Sequence, residues 1–174
     1  IAVRLLSRHE AKDQPDVVRK PATPVRSERI LVIEDEPAVA RLIADVLAEE
    51  GHHAEAVLDS REGLELLGKK AYGLVVCDLR MPHLSGRSLF QELQSRNHPL
   101  RHRFVFVTGD ALSPSTSQFL KTSGVPYLAK PFLIDELKEV VHRALKCADA
   151  LIPVAAARAE AGLGRGGQKG QRAH

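Results

Sequence analysis

From Arg29 onward, short apolar runs alternate with longer stretches whose apolar residues recur every three or four positions. The runs "RILVI" (Arg29 to Ile33), "YGLVVC" (Tyr72 to Cys77) and "RFVFV" (Arg103 to Val107) have the length and composition of strands covered on both faces. "HAEAV" (His53 to Val57) alternates like a weaker strand, and "VPYLA" (Val125 to Ala129) reads as a short fifth one. After Pro37, well placed for a helix's first turn, Val39, Leu42, Ile43, Val46 and Leu47 form one stripe that ends before Gly51. Further helices are predicted over Ser60 to Leu67 (Leu64 and Leu67 inward), Gly86 to Ser95 (Leu89, Phe90, Leu93), Ser113 to Thr122 (Phe119, Leu120) and Leu133 to Lys146. The last carries Leu137, Val140, Val141, Ala144 and Leu145, and Gly124 closes the one before it. Five strands alternating with five helices predict an α/β domain, a doubly wound five-stranded parallel sheet covered on both faces.

The pattern stops at both ends. Residues 1–28 read as an upstream segment and polar, proline-bearing linker, 29–148 as the domain, and 149–174 as a flexible Ala/Gly/Arg-rich tail. A chain of 174 residues suits one such domain with flanks. With no run of about 18 apolar residues and no signal-peptide pattern, a cytoplasmic location without membrane contact is expected.

Charge and cysteine content narrow the chemistry. The formal charge is +3, but acidic residues slightly outnumber basic ones between Ile30 and Cys147, so the basic excess lies in the flanks. Aromatic residues for base stacking are few, and no nucleic-acid partner is expected. Cys77 and Cys147 lack ligand spacing and are read as buried free thiols. His52, His53, His83, His98, His102 and His142 also lack such spacing and are assigned to surface or turn positions.

In doubly wound sheets ligands gather at the carboxyl ends of the strands. Here those ends carry Glu34 and Asp35, then Asp78, Thr108 and Lys130. Each taken singly fits an ordinary boundary residue. Jointly, three carboxylates in one crevice repel unless a cation joins them, and hard oxygen donors favour Mg²⁺. A lysine, a hydroxyl and a strand-end carboxylate beside a divalent ion suit phosphoryl transfer onto that carboxylate. The donor must come from outside, because "GKK" at Gly68 lacks the upstream glycines of a phosphate-binding loop.

"ILVIEDEP", "CDLRMPHLSG", "FVFVTGD" and "YLAKPF", in this order, resemble the receiver domain of two-component response regulators over about Arg29 to Ala148. The resemblance implies a flavodoxin-like strand order 2-1-3-4-5 and Asp78 as phospho-acceptor. It implies Asp35 as a direct Mg²⁺ ligand, Glu34 acting mainly through water, and the backbone carbonyl of Arg80 as a further ligand. Thr108 and Lys130 would bind the phosphoryl group, Tyr127 would be the aromatic switch residue, and the Lys130-Pro131 bond would be cis. Phosphorylation would then reshape the face of the fourth helix, fifth strand and fifth helix. Glu34 stands where aspartate is commoner. Arg80 and Asp110 fall where the family tunes loss of the phosphoryl group, and their opposite charges are expected to pair across the pocket mouth and lengthen the phosphorylated lifetime.

The implied partners are a histidine kinase as donor, in cis or in trans, and a histidine phosphotransfer protein as acceptor. "IAVRLL" at the start resembles the closing strand of a kinase ATP-binding domain, so the C-terminal receiver of a hybrid sensor histidine kinase is expected, with a stand-alone regulator as the alternative. No helix-turn-helix pattern follows the last helix, and direct transcriptional output is not expected. The domain itself is expected to be no enzyme beyond its own phosphorylation and dephosphorylation. The rival of another class, an aspartyl-phosphate-forming phosphatase, needs a second acid two residues after Asp78, where this chain has Arg80.

Overall fold

A computed structural model describes residues 26–151, with side chains to 147. The expected upstream strand at Ile1 to Leu6, most of the linker and nearly all of the tail lie outside the described residues.

The chain forms β1 (Arg29–Ile33), α1 (Pro37–Glu49), β2 (His53–Val57), α2 (Ser60–Lys69), β3 (Leu74–Asp78), α3 (Gly86–Ser95), β4 (Phe104–Thr108), α4 (Pro114–Ser123), β5 (Tyr127–Ala129) and α5 (Ile134–Leu151). The strands pair in parallel in the order β2-β1-β3-β4-β5, the flavodoxin-like order that was expected. Alternate strand residues feed two cores. Leu31, Ile33, Val75, Cys77, Phe104 and Phe106 face Leu67, Leu89, Phe90, Leu93 and Leu120 of α2, α3 and α4. Ile30, Val32, Leu74, Val76, Val105 and Val107 face Ile43, Val46 and Leu47 of α1 and Leu137, Val140, Val141 and Ala144 of α5. Phe90 stands edge-on to Phe104 and Phe106, with ring centroids 5.3 and 5.4 Å away, fixing α3 against the strands that carry the site.

Local signals set where the elements start. Asp59 caps α2 by accepting from Arg61 N at 2.6 Å, Ser85 caps α3 through Ser88 N at 3.2 Å, and Ser113 caps α4 ahead of Pro114. Gly124, at φ +66°, ends α4 in the left-handed conformation.

Several expectations are corrected. β3 and β4 start two and one residues later than the apolar runs, while Asp78 and Thr108 end them as expected. β5 begins at Tyr127, since Pro126 has no N–H to give the ladder. A 3₁₀ turn at Pro99–His102 escaped the pattern because four residues carry no periodicity. Leu42 is exposed: the inward arc of α1 is centred on Ala40, Ile43, Val46 and Leu47, which leaves Leu42 beyond its edge. His52 is buried and not a surface residue, and Cys147 is exposed and not a buried thiol, although Cys77 is buried. Among the described residues no helix is long and apolar enough to cross a membrane.

Candidate functional site

Register brings the polar strand ends together. Ile33 pairs with Cys77 and Asp78 with Val107, so the residues that follow β1, end β3 and end β4 share one edge of the sheet. Lys130 is held there through its backbone, whose N–H donates to the Thr108 carbonyl at 2.8 Å, and the Lys130-Pro131 bond is cis.

At this edge Asp78 is almost fully buried. Its Oδ2 accepts from Lys130 Nζ at 2.7 Å and its Oδ1 from the Arg80 backbone N–H at 2.8 Å. Glu34, the better buried of the two acids, places Oε1 and Oε2 each 2.8 Å from the same ammonium. Oε1 also accepts from Glu36 N at 3.3 Å, whereas the contact of Oε2 is an ion pair without hydrogen-bond geometry. Burial pushes the Glu34 carboxyl above its ordinary range, and the Asp78 charge adds to this against the pull of Lys130. Burial pulls Lys130 down, but its bonds to Asp78 and Glu34 outweigh this and raise it, so the ammonium is charged at neutral pH.

Glu34, Asp35 and Asp78 each offer an oxygen within 4.8 Å of the others. Asp35 is exposed and accessible from solvent. Three hard oxygen donors of like charge, one facing water, fit a divalent cation that keeps part of its hydration shell.

Thr108 is fully buried, and its Oγ1 accepts from the Asp110 N–H at 3.1 Å. The expected pairing of Arg80 with Asp110 is present, Nη1 to Oδ2 at 2.5 Å. Thr116 Oγ1, in the first turn of α4, lies 3.5 Å from the same Oδ2, and Ser113 Oγ donates to the Asp110 carbonyl at 3.3 Å. The sequence reading missed Thr116 and Ser113 here; the Ser-Pro start of a helix was the available signal. Tyr127 lies at the start of β5, half-exposed and apart from this cluster. Gly86 sits where a Cβ would strike the Asp78 carbonyl and come within 2.8 Å of Cys77 Sγ, so the loop after β3 packs down only without a side chain there. Among the described residues, no histidine joins a candidate metal cluster.

A parallel sheet of this order with acids after β1 and at the end of β3, a buried threonine ending β4 and a lysine after β5 defines a signalling domain of the receiver class. Residues 30–142 match the response regulator receiver domain, and the chain belongs to that family. It is 30% identical over 118 residues to the regulatory protein AtoC of Escherichia coli, covering 68% of this chain and 25% of that one. It is 33% identical over 112 residues to the sensor histidine kinase RcsC of Salmonella typhi, covering 64% of this chain and 12% of that protein. Among solved structures it resembles the receiver domain of the sensor histidine kinase PA1611 from Pseudomonas aeruginosa, which has a magnesium ion coordinated in its active-site cleft. That likeness has a TM-score of 0.62 at 27% identity and covers 70% of this chain and 99% of the other. The chain thus spans a quarter or less of the two curated relatives.

Proposed function

We propose that the domain takes a phosphoryl group from a histidine kinase onto Asp78 and passes its state on through the face of α4, β5 and α5. The observation that carries this reading is the convergence of Asp78, Lys130, Glu34, Asp35 and Thr108 on one sheet edge.

One carboxylate oxygen of Asp78 forms the new P–O bond while the P–N bond of the donor phosphohistidine breaks, its electron pair remaining on the imidazole. Lys130, already 2.7 Å from Asp78, neutralises charge on the phosphoryl oxygens, and the Thr108 hydroxyl donates to them. Asp35, Asp78 and the Arg80 carbonyl would hold Mg²⁺, with Glu34 acting mainly through water. Bound there, the ion would neutralise charge on the phosphoryl oxygens during transfer. When Thr108 and Lys130 draw toward the modified Asp78, the loop after β4 shifts and Tyr127 turns inward, biasing an existing equilibrium of that face.

The test is labelling with acetyl phosphate and Mg²⁺: wild type retains at most one equivalent and Asp78→Asn none. Steady phosphate release from a generic monoester would instead favour the phosphatase reading, which Arg80 at the position of the needed second acid speaks against. The likeness to sensor histidine kinases supports a link to such a kinase; within this reading the domain is placed at the C-terminal end of a hybrid kinase in the cytoplasm, relaying onward to a histidine phosphotransfer protein. A stand-alone regulator is the alternative. A nucleotide-binding kinase domain encoded ahead of Ile1 in the same reading frame is the expected finding, and a start codon immediately before it would reject this placement.

A further inference from the structure

The amino-terminal end of the sheet carries a cleft of about 590 Å³ where the starts of β1, β3 and β4 meet. Buried Leu67, Tyr72 and Leu100 form its floor, and exposed Arg26, Arg29 and Lys70 stand at its rim. β3 is five residues long, so the cleft lies about 17 Å from Asp78, at the opposite end of the strands from the carboxylate cluster.

The cations of this cleft differ in what they are bound to. Lys70 Nζ meets Glu55 Oε1 at 2.7 Å, and Oε2 of the same carboxylate accepts from the Tyr72 hydroxyl at 2.7 Å, which holds the ring in the floor. Arg103 belongs to the wall, its Nη1 donating to the Gly73 carbonyl at 3.2 Å. Arg26 and Arg29 form no ion pair and no side-chain hydrogen bond among the described residues. The one acid in the lining is Glu28, which packs against Gly73.

Two uncommitted guanidiniums present forked donors that match a phosphate, which arginine binds in a bidentate manner. An apolar floor with an aromatic ring suits a flat ring system, and the volume falls within the roughly 300–1,000 Å³ usual for small-molecule sites. A nucleic-acid strand would need a basic track with several stacking residues; here the cations surround a single concavity in a domain whose acids slightly outnumber its bases.

We propose that this cleft binds a nucleoside monophosphate, with Arg26 and Arg29 holding the phosphate and Leu67, Tyr72 and Leu100 receiving the base. The site is separate from Asp78 and does not depend on its phosphorylation.

The test is a ¹H–¹⁵N NMR titration of the whole 174-residue chain with AMP, in EDTA so that no divalent ion bridges the phosphate to the acids at the other end of the sheet. Saturable shifts are expected at Lys70, Gly73 and Leu100, with Asp78 and Thr108 unmoved. AMP is expected to bind at least about tenfold more tightly than inorganic phosphate or ribose 5-phosphate, which lack the base. Arg29→Gln is expected to weaken AMP about tenfold or more, as loss of a charge-assisted hydrogen bond does. Arg26→Gln, at an exposed position ahead of β1, carries the same expectation should the Arg29 variant fold poorly.

Inorganic phosphate or ribose 5-phosphate binding as tightly as AMP would overturn the proposal, because the cations alone would then account for the binding. Shifts centred on Asp78 and Thr108, no saturable shift up to about 10 mM AMP, a level that leaves only very weak binding, or unchanged affinity in both arginine variants would overturn it as well.

Discussion

Arg80 does two things at once. Its backbone N–H binds Asp78 Oδ1 at 2.8 Å, and its guanidinium reaches Asp110 at 2.5 Å across the mouth. The side chain is 68% exposed, so the pair adds little to stability; under the function proposed above, it would stand in the way of water approaching a phosphorylated Asp78. Arg80→Ala is expected to lose phosphate about 1.4- to fivefold faster, the rate equivalent of the roughly 0.2–1 kcal/mol typical of such pairs. Decay of the labelled protein after removal of the donor measures this. A half-life equal to wild type's would remove Arg80 from any lifetime role. Thr116 and Ser113 make the same pair a link between the acceptor and the first turn of α4, the helix expected to respond.

At the scale of elements, two glycines contrast. Gly86 opens α3 where an added Cβ would strike the Asp78 carbonyl, backbone that cannot retreat without moving the acceptor. Gly86→Ala is expected to lower stability by about 1–3 kcal/mol, the usual cost of overpacking, and to slow labelling of Asp78. Gly68 lies inside α2 with nothing within 4 Å of an added Cβ, and Gly68→Ala is expected to gain about 0.5–1 kcal/mol from helix propensity. Urea unfolding of both variants checks the pair; equal effects would mean that the close approach at Gly86 does not constrain the site.

At the scale of the whole molecule, one buried histidine couples stability to pH. His52 Nδ1 accepts from the Glu28 N–H at 3.3 Å, and Nε2 is buried with no hydrogen-bond partner among the described residues. Burial lowers its pKa below 6.5, with the charge of His142 adding to this against Glu28 and Glu50. Folded His52 therefore binds its proton less readily than unfolded His52. The His52 contribution is constant above about pH 7 and turns destabilising as pH drops through the unfolded value near 6.5. Glu50 and Glu55, held below their ordinary values first by Lys138 and Lys70, lose their contributions only in more acidic solution. Denaturant titrations of wild type and His52→Leu at pH 7.5, 6 and 5 are expected to show a shallower decline in the variant. Parallel declines would assign the effect to other groups.

The apolar runs by themselves determined the α/β class, because a parallel sheet covered on both faces leaves little room for polar residues in β1, β3 and β4. They also put Asp78 and the acids after β1 at strand ends, while the assignment of roles came from resemblance to a family, since spacing alone names no chemistry. Edges of elements and facing of single residues were not legible: Leu42 is exposed although it falls on the apolar stripe, and His52 lies in the turn between α1 and β2 yet is buried, because burial depends on what packs against a helix or loop, not on its own period. Only the tertiary structure decided that Glu34 and Lys130, 96 positions apart, meet beside Asp78, because the strand order brings the ends of β1, β3 and β5 to one edge of the sheet.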